Sequence, residues 1–190
     1  MKIRNGFVSN SSSSSFLVAF DKKPKNVLEL HKVMFGTKPT TVQMFDYSSY
    51  SSLEVAKTVW NSLEEQKPLT EKEIQEEAGS GYFEGYPETD YTQDTESHRI
   101  EREAVKVGKD AWKDEPWKTK RMNAWNAEWE KREKEIDKCA EQYYLKTVKP
   151  LFKGKKVFKF SYSDNDGEYY TTLEHGDIFG NLPHVCISHH

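Results

Sequence analysis

Histidines and carboxylates are concentrated near the C-terminus of the chain. Four of the six histidines lie in the last sixteen residues, and several acidic residues precede them. Imidazole and carboxylate groups together suit zinc, manganese or iron, and a metal with an open position activates water. The sequence establishes no cofactor but offers a candidate divalent-metal site, although histidine also serves as an ordinary hydrogen-bonded core residue. The candidate ligands are Asp164, Asp166, Glu174, His175, His184 and His189.

A serine run near the N-terminus is the second candidate site. Hydroxyl and backbone N–H groups in such a loop could hold a phosphate or another anion. The run enters an apolar segment typical of a strand, whereas a phosphate loop follows a strand and opens a helix. A turn or linker of small residues is therefore the alternative interpretation. The candidate anion-binding residues are Ser11, Ser12, Ser13, Ser14 and Ser15.

Four tryptophans form the third candidate site, in a stretch with helical periodicity. Trp125 and Trp129 are one helical turn apart and share a face. Aromatic residues at this spacing are typical of core packing. The functional alternative is a partner-binding surface, because tryptophan is enriched at the energetic centres of interfaces. The candidate partner-binding residues are Trp112, Trp117, Trp125 and Trp129.

The two ends of the chain carry the predicted strands. Residues 16–20 are wholly apolar, which predicts a buried strand at the centre of a sheet. Residues 156–174 alternate around an Asn-Asp-Gly turn at 165–167, which predicts a β-hairpin. Residues 182–188 predict one further strand. If these strands pair, we expect the serine loop to lie against the C-terminal histidines and form the main polar pocket.

Helices are predicted between these ends by capping residues and apolar periodicity. The pairs Asn26/Glu29, Ser51/Glu54 and Thr70/Glu73 have the capping-box spacing of three and predict three short helices. Residues 97–150 predict two helices broken near residues 114–116, because proline suits the first turn of a helix and disrupts its interior.

These elements predict an α+β fold. A mixed or antiparallel sheet built from both chain ends would be covered by short helices. Residues 1–78 and 151–190 would form one core, 79–96 an acidic loop rich in glycine and tyrosine, and 97–150 a helical-hairpin insertion. Residues 64–96 hold 11 acidic and 2 basic residues, which gives this block a net charge of −9.

Composition excludes several classes of protein. The 190 residues include 13% aromatic side chains, which argues against a disordered chain. No window reaches the roughly 18 apolar residues of a membrane helix, and no apolar segment of a signal peptide follows the first residues. Two cysteines cannot form a disulfide framework, so a reduced, cytoplasmic setting is expected. Neither terminus is a basic arm, so sequence-specific nucleic-acid binding is not expected.

Both termini resemble those of one group of proteins. The opening RNGFVSNS, continuing through Phe16, is similar to the start of many small uncharacterised proteins of tailed phages and bacterial mobile elements. The ending SDNDGEYYTTLEHGDIFGNLPHVCISHH is similar to C-termini of the same group. The resemblance implies a phage-encoded accessory protein in the host cytoplasm and carries no catalytic residue with it.

Three functions follow from these features. The leading expectation is a non-enzymatic accessory protein that binds or inhibits a host protein through the acidic loop and the tryptophan-bearing hairpin. The first alternative is a metal-dependent phosphoesterase or nuclease that uses the C-terminal cluster. The second alternative is a binder of a small anionic ligand at the serine loop. The oligomeric state stays open.

Overall fold

The fold was examined in a computed structural model, which describes residues 13–43, 49–83, 86–87, 94–163, 168–175 and 177–188. Helices and small antiparallel sheets make up this part of the chain, which confirms the predicted α+β class. The chain divides into two compact units. Unit 1 comprises Met1–Glu84 and Glu141–His190, and unit 2 comprises Gly85–Ala140.

A three-stranded antiparallel sheet lies in unit 1. Its central strand is β1 (Ser13–Phe20), and its outer strands are β4 (Lys156–Ser163) and β5 (His184–Ser188). Phe16 lies opposite Phe160 on one side and Cys186 on the other. The apolar run therefore occupies the centre of the sheet, as predicted, and β5 confirms the strand expected near residues 182–188.

Capping residues start the helices that follow β1. The Asn26 side chain accepts from the backbone N–H of Glu29 at the first of them, and reciprocal capping boxes open the next two at Ser51 and Thr70. Each cap satisfies N–H groups that have no partner within the helix. These three helices are α1 (Val27–Phe35), α2 (Ser52–Leu63) and α3 (Glu71–Ala78). A second sheet pairs β2 (Thr41–Gln43) with β3 (Ser49–Ser51).

Unit 2 contains the predicted break between two helices. Helix α4 (Glu96–Lys106) and helix α5 (Trp117–Tyr143) flank a non-helical segment, so the expected break near 114–116 is confirmed. The first helix ends at Lys106, before the expected break, and Gly108 beyond it adopts a φ of +70°, a conformation typical of helix C-termini. Helix α5 is followed by a π-helical turn (Tyr144–Val148) and by α6 (Lys149–Leu151).

Alternate residues of β1 supply two separate cores in unit 1. Phe16, Val18 and Phe20 belong to a cluster with side chains from α1, α2 and helix α7 (Glu168–His175). Leu17 and Ala19 belong to a second cluster, with Ala78 of α3 and with residues that follow α5. Tyr144 and Val148 are buried in that second cluster. The C-terminal end of the predicted insertion, after Ala140, therefore lies in unit 1.

The predicted hairpin over residues 156–174 is wrong in its second half. Residues 156–163 form β4, but Glu168–His175 is helix α7, and the expected turn at 165–167 lies outside the described residues. The β propensity of the tyrosines and threonines is overridden by packing. Tyr169, Tyr170 and Leu173 lie on one helical face against the first cluster.

No helix among the described residues has both the length and the apolar character needed to cross a membrane.

Replacement of Leu173 by alanine tests the packing of α7. Leu173 is 0% exposed, so its truncation leaves a cavity and should lower the free energy of unfolding by about 2–5 kcal/mol. Leu28→Ala, at a position 70% exposed, is the control and should change that free energy by less than about 0.5 kcal/mol. Urea denaturation measures both, and equal effects would contradict the assigned packing.

Deletion of unit 2 tests whether unit 1 folds by itself. The chain leaves unit 1 after Phe83 and re-enters it before Tyr143, and these two rings stack with centroids 5.2 Å apart. A short Gly/Ser linker in place of residues 85–140 should therefore span the gap and preserve a cooperative unfolding transition. Broad, non-cooperative unfolding or aggregation of the shortened protein would show that unit 1 requires unit 2.

Candidate functional site

The serines of β1 face opposite sides of the sheet. The Ser14 hydroxyl donates to Glu174 Oε1 at 3.3 Å, whereas the Ser15 hydroxyl lies 3.0 Å from that of Ser161. Both serines are buried, and neighbouring strand residues point in opposite directions. Ser14 and Ser15 therefore cannot line one anion pocket together. Ser11 and Ser12 lie outside the described residues.

Glu174 contacts a serine from the opposite end of the chain. Its carboxylate is buried at the end of the sheet where β1 begins, beside Ser14. Cys186 is exposed on the outer strand β5, and partial desolvation of its thiol raises the pKa of this group, which the hydrogen bond with Ser14 opposes and the charge of Glu174 increases. This end of the sheet therefore holds a thiol of raised pKa next to a buried carboxylate.

His184 does not join this cluster, so the predicted placement of His184 beside the serine loop is wrong. It pairs with Val18, four residues along β1 from Ser14, which corresponds to roughly 13 Å. Its Nδ1 donates to the Leu182 carbonyl oxygen at 3.0 Å, and its Nε2 lies 3.9 Å from Asp177. The register of β5 separates the histidine from the serines, and sequence alone does not determine that register.

The predicted metal site is only partly within the described residues. Asp164, Asp166 and His189 lie outside them, as does the side chain of His175. Among the residues that the structure describes, no three histidine, cysteine or carboxylate side chains are grouped closely enough to hold a metal ion. The metal-dependent alternative stays a prediction about the remaining residues.

Two of the four candidate tryptophans form an exposed stack on α5. The rings of Trp125 and Trp129 have centroids 6.0 Å apart and planes inclined by 18°. Trp125 is 45% exposed and Trp129 is 53% exposed, and Met122 beside them is 42% exposed. Spacings of three and four residues place all three on one helical face. We call Met122, Trp125 and Trp129 the aromatic face.

The other two tryptophans contact cations. The Arg121 guanidinium lies 3.1 Å from the centroid of the Trp112 ring and donates to Glu101 of α4. Lys120 Nζ lies 5.0 Å from the centroid of the Trp117 ring. Arg121 is buried, so its contacts join α4 to α5 and hold the helix that carries the aromatic face.

A cleft in unit 1 was not predicted from the sequence. It has a volume of about 640 Å³ and lies between the start of α3 and the turn that follows α6. We call it the lysine cleft. Its lining residues are Leu69, Glu71, Ile74, Tyr144, Leu145, Lys149, Pro150, Phe152, Lys153, Gly154 and Lys155.

Ion pairs order the charges of the lysine cleft. Lys149 Nζ donates to Glu71 Oε1 at 2.6 Å, and the Tyr144 hydroxyl donates to the same oxygen at 3.2 Å. The hydrogen bond with Lys149 lowers the pKa of Glu71, and the same bond raises the pKa of Lys149. Both groups are therefore charged at neutral pH. Lys155 pairs with Asp21 at 2.5 Å.

The acidic block of residues 64–96 contributes to this part of unit 1. Glu71 pairs with Lys149, and Glu77 of α3 pairs with Lys159 of β4 at 2.6 Å. Part of the block therefore forms a helix, α3, in which Glu71 and Glu77 pair with lysines of other elements. Residues 84–85 and 88–93 of the predicted acidic loop lie outside the described residues.

The reactivity of Cys186 tests the polar cluster at the end of the sheet. In a Cys139→Ser background, Glu174→Gln should lower the pKa of the Cys186 thiol, because it removes the nearby negative charge. Ser14→Ala should raise that pKa, because it removes the hydrogen bond. The pH profile of iodoacetamide alkylation measures both shifts. Shifts of the same sign in the two variants would contradict the arrangement.

Comparison of the chain with protein-family models, with curated proteins and with solved structures finds no match. Inference about its function therefore depends on the sites that its own residues form, which are the aromatic face, the lysine cleft and the polar cluster around Glu174.

Proposed function

We propose that the chain is a non-enzymatic accessory protein that binds a partner protein through the aromatic face of α5. The observation that carries the proposal is the stacking of Trp125 on Trp129 with about half of each side chain exposed. The resemblance of the two chain ends to phage proteins supports a host protein as that partner.

Exposure of this face favours an interface over a core. Burial of a large aromatic side chain is favourable, and tryptophan dominates the energetics of many protein interfaces. Met122 extends the stack with a flexible, polarisable side chain that adapts to irregular partner surfaces. The three residues span about 10 Å of helix, which matches a small anchor at the centre of an interface.

The supporting contacts favour a rigid surface. Glu128 of α5 accepts hydrogen bonds from the backbone N–H and the hydroxyl of Ser97 at 2.9 and 2.7 Å. Arg121 adds the pair with Glu101. Both contacts join α4 to α5, so little of the helix remains to be ordered when a partner binds. Preorganisation of this kind improves affinity because it reduces the entropy lost on association.

Chemistry at the rim of the face suits a protein partner. Lys118 lies one turn before Met122, and Glu133 lies one turn after Trp129, so charges of opposite sign flank the apolar centre. An apolar centre with a mixed polar rim is the usual composition of a protein interface.

Alanine variants of the two stacked tryptophans test the proposed function. Host proteins retained by the immobilised wild-type chain would be identified and purified, and binding would be measured by calorimetry. Trp125→Ala and Trp129→Ala should each weaken binding at least about tenfold, as expected for interface hot spots. Val105→Ala, at a position of α4 that is 71% exposed, is the control and should leave the affinity unchanged.

Two outcomes would contradict this proposal. The first is unchanged affinity of both tryptophan variants for every host protein that the wild type retains. The second is concentration-dependent self-association in analytical ultracentrifugation that the same variants abolish, because the face would then bind a second copy of the chain.

A further inference from the structure

The lysine cleft is separate from the aromatic face, and the proposed function leaves it unused. All of its lining residues belong to unit 1. A volume of about 640 Å³ lies within the range of roughly 300–1,000 Å³ typical of small-molecule sites. The cleft is thus large enough for a ligand of small-molecule size.

We propose that the lysine cleft binds a small organic anion with an apolar body. The anionic group would lie among the lysines of the cleft, and the apolar body would lie against its apolar and aromatic side chains. This ligand class follows from the two kinds of side chain that line the cleft.

Apolar and aromatic side chains make up a large part of the lining of the cleft. Tyr144 and Phe152 are buried members of the second core cluster, and Leu69 and Ile74 are half-buried against it. The Leu69 backbone is held by a hydrogen bond from its N–H to the Val157 carbonyl oxygen at 2.8 Å. A ligand with an apolar body would remove this surface from water, which is favourable in proportion to the area covered.

Charge in the lining favours an anion. The cleft contains the cations Lys149, Lys153 and Lys155 and one carboxylate, that of Glu71. Lys149 and Lys155 already have carboxylate partners. Lys153 is exposed, and its ammonium group has no ion pair with any residue in the described part of the chain. Lys153 is therefore the primary anchor for an anion, and the two paired lysines reinforce it.

The backbone around the cleft departs from regular helix in two places. The π-helical turn supplies Tyr144 and Leu145 to the lining of the cleft, and turns of this kind are frequent at functional sites. Pro150 lacks the N–H group that would donate to the Lys146 carbonyl oxygen in a regular helix. The missing hydrogen bond is consistent with the departure from α-helical hydrogen bonding in the π-helical turn. Gly154 then adopts a φ of +75°, which turns the chain into β4 between Lys153 and Lys155.

A pair of fluorescent probes tests the ligand class with the full chain. The anionic probe is 8-anilinonaphthalene-1-sulfonate, and the neutral probe of the same shape is N-phenyl-1-naphthylamine. The anionic probe should bind saturably and several-fold more tightly than the neutral one, with an affinity that falls as salt is added. Decanoate should displace it, whereas acetate and decanol should not, because binding requires both the charge and the apolar body.

Three substitutions test whether the anionic probe binds in the lysine cleft. Lys153→Gln should weaken its binding about threefold, the size expected for one exposed ion pair. Lys146→Gln is the matched control, because Lys146 is exposed on the π-helical turn, next to Leu145 of the lining, but does not itself line the cleft. Glu71→Gln should tighten binding about threefold, because it removes the carboxylate that pairs with Lys149.

The Glu71 variant separates a ligand site from structural damage. Loss of the contacts that Glu71 makes with Lys149 and Tyr144 would make the lining of the cleft less ordered. A purely structural effect would therefore weaken probe binding. Unchanged circular dichroism and cooperative unfolding would confirm that each variant is folded. Absence of saturable binding, equal affinity for the two probes, equal effects of the Lys146 and Lys153 variants, or weaker binding by Glu71→Gln would each overturn the proposal.

Discussion

Pairing of β1 with two strands from the other end of the chain is the constraint on which the rest of unit 1 depends. Phe16–Phe20 has no polar side chain, so it is stable only where both faces and both edges of the strand are covered. β4 and β5 cover the edges. Because side chains alternate along a strand, the two faces then need separate helical layers. Helices α1, α2 and α7 cover one face, and α3 with the chain from Tyr144 to Phe152 covers the other.

Features with a local cause were predictable from the sequence. A helix cap joins a side chain to an N–H two or three residues away, so Asn26, Ser51 and Thr70 marked the starts of three helices correctly. The central position of β1 was predictable because its wholly apolar residues 16–20 are unsuited to a solvent-exposed edge of the sheet. Residues 168–175 were assigned wrongly because tyrosine and threonine favour strands locally. Burial of Leu173 against the first core cluster, a tertiary effect, makes them helical.

The candidate sites were less predictable, because they depend on strand register and on contacts between distant residues. Ser14 and Glu174 meet across 160 residues, because strands from the two chain ends pair in one sheet, and no local pattern identifies the two residues as partners. Prediction of the position of His184 required the register of β5 as well, because a register shift moves a side chain along the sheet or to its other face. The lysine cleft depends on a pair 78 residues apart, Glu71 with Lys149, which no local pattern indicates.

The uneven distribution of charge along the chain is explained in part by the ion pairs Glu71–Lys149 and Glu77–Lys159. The acidic block of residues 64–96 includes α3, and the lysines that pair with Glu71 and Glu77 of this helix lie in the segment from Lys149 to Lys159. Exposed ion pairs contribute little stability but disfavour alternative placements, because a shifted helix would face like or unpaired charges. Burial of Ala78 and packing of the half-buried Ile74 account for the attachment of α3, and the ion pairs favour its observed position. Three lysines line the cleft, and two of them pair with the carboxylates of Glu71 and Asp21, so one positive charge, that of Lys153, remains beside the apolar lining. A charge pattern that positions a helix thereby also creates a surface suited to an anion.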